Sequence, residues 1–153
     1  MRAVLKGLLF GLFAMTLNHA ALAAGGKGSA DEAIALVKKA ANYLKNNDKE
    51  KAYAEFDNNK GQFIDRDLYI FVFDMSGKTL AHGSNPKLLG KNMTDLKDAD
   101  GKYFVRSFIE VANTKGKGWI DYKWINPVSK AIEQKSSYIE KVGDVLVGCG
   151  IYK

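Results

Sequence analysis

The chain has one cysteine, two histidines and two prolines among its 153 residues. A lone cysteine forms no internal disulfide, so an apolar core must hold the domain together. One cysteine and two histidines fall short of the three or four nitrogen and sulfur ligands that zinc sites mostly use, and no metal or cofactor is expected. Scarce proline, with 46% hydrophobic and 26% charged residues, excludes a disordered or collagen-like chain. No run of five basic residues occurs, and the formal charge of +6 is scattered in alternating signs, so nucleic acid is not an expected partner. There is no internal repeat, no low-complexity tract and no Gly-x-Ser-x-Gly elbow. A phosphate-cradling loop is missing too, since Gly148-Cys149-Gly150 is short and does not lead into a helix. Asp98-Ala99-Asp100-Gly101 fails as a calcium loop: with Gly101 sixth, the first and twelfth positions are Leu96 and Ser107, which supply no carboxylate.

No apolar run reaches the roughly twenty residues of a membrane span. The longest opens the chain, where Arg2 and Lys6 precede an apolar stretch to Leu17 and then Ala21-Leu22-Ala23. Charged, apolar and small-residue regions in that order describe a secretory signal peptide, with cleavage expected after Ala23. No cysteine follows to carry a lipid anchor, so a periplasmic or secreted protein, not integral to the membrane once processed, is expected. Removal of residues 1–23 takes Arg2, Lys6 and no acid, lowers the charge by two, and leaves His82 as the one histidine.

Eight Phe, seven Tyr and two Trp supply a core of one ordinary domain. Residues 24–28 form a small flexible lead, and the domain proper spans 29–153. Ser29 with Glu32 three residues on is a capping box, and Ile34, Val37, Ala41 and Leu44 follow at helical spacing. Asn46-Asn47-Asp48 interrupts before Ala52, Tyr53 and Phe56, so one long helix or two consecutive helices open the domain. Residues 67–74 are apolar on both parities and rich in aromatic and β-branched residues, as in a strand covered on both faces. Met75-Ser76-Gly77 turns the chain into a returning strand, Lys78 to His82. A short helix carries Phe104, Phe108, Val111 and Ala112, and three strands follow at Trp119–Trp124, Ala131–Glu140 and Asp144–Tyr152. Short turns make these strands mostly antiparallel, and the pattern is an α+β fold with one helical layer on a five-stranded sheet.

Chemistry-bearing residues gather in the strand half. Trp119, Tyr122 and Trp124 crowd one strand; Tyr69 and Phe71 share a face of another by period-two alternation. His82 ends a strand where its loop folds over a sheet face, and Lys135 sits within a strand. Aromatic residues on a sheet are ordinarily core, and a strand lysine is ordinarily an edge guard. Together, however, aromatic walls with one or two cationic donors suit a small carboxylate, because excluded water strengthens charged hydrogen bonds. A Cys149–His82 catalytic pair is conceivable, yet Cys149 between two glycines in an apolar strand points to burial and inertness.

Several ordered pieces resemble one family. They are residues 67–74, Leu80-Ala81-His82, Asn85-Pro86, Leu89-Gly90-Lys91 and Asp98-Ala99-Asp100-Gly101, then residues 118–124 with Asn126-Pro127, Lys135-Ser136-Ser137-Tyr138 and Gly148-Cys149-Gly150-Ile151-Tyr152. Over nearly the whole processed chain these are similar to the single Cache domain family, type 2. The resemblance implies an extracytoplasmic sensor with a long N-terminal helix packed on a five-stranded antiparallel PAS-like sheet. It implies a pocket for a short organic carboxylate such as acetate, propionate, pyruvate or lactate, lined by Tyr69, Phe71, His82, Trp119, Tyr122, Trp124 and Lys135. Lys135 and His82 would be its main polar contacts; Arg106 is a further candidate that could equally point to solvent. Many relatives carry His-Pro where this chain has His82-Gly83, which leaves the loop more mobile. Family members usually sit between two membrane spans upstream of a kinase or chemotaxis module. The sequence runs to Lys153 with no second span or output module, so signalling is expected through a separate receptor, kinase or transporter. The alternatives are an interaction or structural module without ligand, or a hydrolase using His82 as general base.

Overall fold

A computed structural model describes residues 26–153, so the expected leader, residues 1–23, lies outside the described residues. Helices α1 (Ala30–Asn46), α2 (Lys49–Asp57) and α3 (Phe104–Thr114) combine with strands β1 (Ile64–Asp65), β2 (Leu68–Tyr69), β3 (Phe71–Asp74), β4 (Thr79–His82), β5 (Lys117–Ile125), β6 (Ile132–Val142) and β7 (Val145–Tyr152). The main sheet has the order β4-β3-β7-β6-β5 and every pairing is antiparallel; β1 and β2 make a separate two-stranded ribbon. The fold is α+β, with a five-stranded antiparallel sheet.

The capping box forms as expected. The Ser29 hydroxyl accepts from the Glu32 amide at 3.3 Å, and the Glu32 carboxylate accepts from the Ser29 amide at 2.8 Å. From there Ala33, Val37, Ala40, Ala41 and Leu44 are buried on one side of α1. Three alanines let the helix approach closely, and it covers Val147, Cys149, Tyr138 and Val142 on one sheet face. The helical pattern breaks at Asn47, whose extended backbone separates α1 from α2.

Two details differ from the sequence-based expectation. Residues 67–74 do not form one strand: the backbone breaks at Ile70, between the β1–β2 ribbon and the main sheet, and the turn before β2 carries Arg66 at φ +57°. Nor is there only one helical layer. By strand alternation Phe71, Phe73, Ile120, Tyr122, Ile139 and Leu146 face away from α1, and α3 covers them with Phe104, Val105, Phe108 and Ala112. The sheet is therefore sandwiched between α1 and α3, with a separate core on each side.

The turn at residues 98–101 has a structural task. Asp98 accepts the amides of Asp100 and Lys102 through one oxygen and the Lys123 amide, on strand β5, through the other at 2.9 Å. Lys102 donates to the Asp121 carbonyl. These contacts occupy part of the open edge of β5, which would otherwise present unpaired backbone groups.

Candidate functional site

The site lies on the α3 side of the sheet, and alternation decides who reaches it. On β6, Lys135, Ser137 and Ile139 share a parity and point toward α3; on β5, Ile120, Tyr122 and Trp124 do. Opposite Lys135 on β7 stands Tyr152, and Tyr69 and Phe71 arrive from β2 and β3. Gly148 and Gly150 face the same way and keep the space clear. A methyl group at Gly150 would overlap Lys135 Cε and Ser137 Oγ, and one at Gly148 would overlap the Phe71 ring.

Lys135 is fully buried on an interior strand, so it is no edge guard. Its ammonium donates to the Tyr69 hydroxyl at 2.7 Å and to the Tyr152 hydroxyl at 3.2 Å. It also lies 4.0 Å from the Tyr69 ring centroid and 4.7 Å from that of Tyr152. Among the described residues it forms no ion pair with a carboxylate. Asp67 is buried in the same region, and its field contributes to raising Tyr152 and Cys149, after the larger effect of burial. A buried cation held only by phenols and ring faces leaves much of its desolvation cost uncompensated, and an anion would offset it.

His82 closes one side of this region. It is 4% exposed, and its ring lies against those of Tyr69 at 5.0 Å and Phe71 at 6.4 Å. Its own amide donates to the Asp57 carboxylate at 2.7 Å, and its Nδ1 accepts the Asn85 amide at 3.2 Å. Burial first, then the Lys135 charge, pushes its pKa down to about 3. The ring is therefore neutral at physiological pH. With the Nδ1 lone pair engaged, the proton sits on Nε2, so His82 is a donor. Tyr122 and Ser137 add a hydroxyl pair 3.0 Å apart.

Beyond these polar groups the lining turns aromatic and apolar. Phe104 stacks on Tyr122 with centroids 4.5 Å apart, Phe108 on Phe71 at 5.5 Å, and Leu88 and Met93 close the outer wall. The cavity bounded by His82, Tyr122, Trp124 and these side chains is about 10 Å³, room for about one water molecule. A ligand larger than water must displace side chains to enter. A larger cavity of about 290 Å³ lies near Lys27, Arg66, Asp67 and Glu133. Lys27 pairs with Glu133 at 3.1 Å and Arg66 with Asp65 and Glu32 at 2.8 and 2.7 Å, while Asp67 accepts the Gly28 amide at 2.7 Å through one oxygen and has no partner for the other among the described residues.

Six of the seven residues proposed from sequence, Tyr69, Phe71, His82, Tyr122, Trp124 and Lys135, meet here. Trp119 does not. It points to the α1 side of β5, 38% exposed, with its ring 5.5 Å from Tyr138. The reason is alternation: Trp119 and Tyr122 are three residues apart on one strand and cannot share a face. Arg106 is also outside: its guanidinium bonds the Thr94 carbonyl and Asp95 and lies over the Tyr103 ring. Cys149 is buried under α1, across the sheet from His82, and burial pushes its thiol up to about 12, so the two form no catalytic pair. Tyr152, Ser137, Phe104, Phe108, Leu88 and Met93 complete the site. Tyr152 could have been found, since it shares the outward parity of Gly148 and Gly150 on β7.

The chain is 29% identical over 90 residues to the methyl-accepting chemotaxis protein McpP of Pseudomonas putida, an alignment spanning 58% of this chain and 16% of that protein. It is 33% identical over 89 residues to the sensor histidine kinase MctS of Rhizobium johnstonii, spanning 57% of this chain and 19% of that protein. The matches thus cover less than a fifth of those relatives' length. The fold superposes with a TM-score of 0.71 on a Cache chemosensory domain whose structure explains carboxylic acid recognition, with 22% identity, 80% of this chain and 91% of that one covered. The single Cache domain 2 family matches residues 2–153, and the chain belongs to that family.

Proposed function

We propose that this Cache domain is an extracytoplasmic sensor for a short organic monocarboxylate of the acetate, propionate, pyruvate or lactate class. The carboxylate would take the Lys135 ammonium and the His82 Nε2–H, and its short tail would lie among Phe71, Phe108 and Met93. The observation that carries this reading is Lys135: fully buried, in no ion pair with a carboxylate among the described residues, and close enough to the neutral His82 for its charge to act on that ring. Recognition of carboxylic acids by the structurally similar chemosensory domain supports the same class. Because the related sequences are a chemotaxis receptor and a histidine kinase, occupancy would be passed to a receptor or kinase, or to a transporter. The leader-like residues 1–23 support a periplasmic or secreted location.

The closed cavity favours a second reading, an interaction module whose aromatic cluster is only core. A hydrolase reading loses its base, because the free nitrogen of His82 carries the proton and the other is engaged. A thermal-shift series with acetate, propionate, pyruvate and lactate separates the first two. A ligand at one hundred times its dissociation constant adds about 2.7 kcal/mol of stability, a rise of several degrees in a domain of this size. If none of the four acids raises Tm, the carboxylate reading is wrong.

A further inference from the structure

The buried ammonium is connected to one end of the molecule through a single phenol. The Tyr152 hydroxyl accepts from Lys135 Nζ at 3.2 Å and donates to the Ile125 carbonyl at 2.8 Å. Ile125 is the last residue of β5, where the connection to β6 begins. That connection is closed by the Asn126 amide on the Ala131 carbonyl at 2.8 Å and the Lys130 amide on the Asn126 carbonyl at 2.9 Å. Lys130 holds a φ of +62°, a strained conformation for a residue with a side chain, which persists only while its surroundings enforce it. The same hairpin carries Ile125, Val128 and Ile132 at 47%, 66% and 65% exposure, the most exposed large apolar side chains among the described residues.

Resting on the carboxylate reading above, we propose that ligand binding at Lys135 loosens the 126–131 hairpin through Tyr152, so that occupancy is expressed as mobility of this apolar tip. Two hydrogen bonds in series reinforce one another: an ammonium donating to the phenol oxygen makes its O–H a stronger donor to the Ile125 carbonyl. Of the two phenols, Tyr152 holds the ammonium at the longer distance, 3.2 against 2.7 Å for Tyr69, and gives way first. A carboxylate is a stronger acceptor for an ammonium than a neutral phenol is. As Lys135 turns to the ligand, Tyr152 exchanges a charged donor for at most the neutral Tyr69 hydroxyl at 3.4 Å, its bond to Ile125 weakens, and the strained connection opens more often. Glu133 keeps its own hold on Asn126 and Ser129, so the hairpin loosens without detaching.

Amide hydrogen exchange on the full chain, with propionate as the probe, tests this. At saturating propionate the β6 and β7 amides should slow, while the Asn126 and Lys130 amides speed up about fivefold, the weight of one ordinary hydrogen bond. Tyr152→Phe keeps the ring and loses the hydroxyl. Its hairpin amides should exchange about fivefold faster without propionate, and propionate should add nothing further. Hairpin amides that slow together with the core when propionate binds overturn the proposal, as does a Tyr152→Phe hairpin with wild-type exchange. Should propionate and the other acids fail to raise Tm, the carboxylate reading itself has failed; a raised Tm with a slowed hairpin refutes only the coupling.

Discussion

Replacing Lys135 with Met removes a charge and keeps a chain of similar length, and the structure assigns opposite signs to its effects on stability and binding. The ammonium has two phenol acceptors and two ring faces, and no carboxylate pairs with it among the described residues. Desolvating a charge costs several kcal/mol even after relaxation. Hydrogen bonds from charged donors return about 1.5–3 kcal/mol each and ring faces about 0.5–2 kcal/mol, so the lysine is close to neutral or a net burden. Neither phenol is orphaned by its loss, because Tyr152 still donates to Ile125 and lies 3.4 Å from the Tyr69 hydroxyl. Lys135→Met should therefore leave unfolding free energy unchanged or raise it by up to about 4 kcal/mol, the upper end of what replacing a whole buried ion pair with apolar side chains gains. A core truncation would instead cost about 2–5 kcal/mol. Binding moves the other way: one charged hydrogen bond of about 1.5–3 kcal/mol is lost, which weakens a short carboxylate roughly ten- to a hundredfold. Urea unfolding gives the first quantity and calorimetric titration with propionate the second. A variant that binds propionate as tightly as wild type refutes the assignment of Lys135 to the carboxylate; one destabilised by more than about 2 kcal/mol, as a core truncation would be, refutes the claim that its charge is a burden.

Three further outcomes follow from the same geometry. Gly150→Ala should lose about 1–3 kcal/mol of stability by overpacking and weaken propionate binding as well, since its methyl would press on Lys135 and Ser137; wild-type binding in titration would show that the ammonium has slack to move. Trp119→Ala should leave propionate affinity unchanged, because its ring lies across the sheet from the site; a tenfold loss would place it back in the pocket. His82 has a folded pKa pushed from 6.5 down to about 3, so the unfolded chain binds the extra proton: stability is complete above about pH 6.5 and falls by up to about 1.4 kcal/mol per unit as pH drops toward 3. Between pH 6.5 and 5, above the range of ordinary carboxylates, His82→Gln should flatten this slope in urea unfolding, and an unchanged slope would mean that another group titrates there.

Strand and helix spacing carried most of the fold. The capping box at Ser29, the alanine-rich face of α1 and the hairpins of the second half are local features, written in neighbouring residues and turn chemistry. The departures were non-local. Residues 67–74 look continuous because Leu68 to Phe73 are all apolar, yet Tyr69 packs with the α3-side cluster while Ile70 joins the α1 core, and the chain breaks there between the β1–β2 ribbon and the main sheet. The second helical layer was present in the burial of both strand parities, since a sheet apolar on both faces needs a cover on each.

For the site, the limit lay in pairing register. Alternation within a strand places Tyr122 and Trp124 together and rejects Trp119, so that error was avoidable from spacing alone. No such rule reaches across strands: that Lys135 stands opposite Tyr152, and that Gly150 on β7 leaves room for its stem, depends on how β6 and β7 slide against each other. A one-residue slip would turn Lys135 toward the α1 face, among Cys149 and Val147 and away from the Tyr69 and Tyr152 hydroxyls. The register that avoids this is fixed by the tight turn at Gly143, whose φ of +61° suits glycine, and by the apolar faces on either side of the sheet. The buried charge is thus positioned by residues on neighbouring strands, which is why composition and motif could point to a cationic donor among aromatic residues but not to the phenols that hold it.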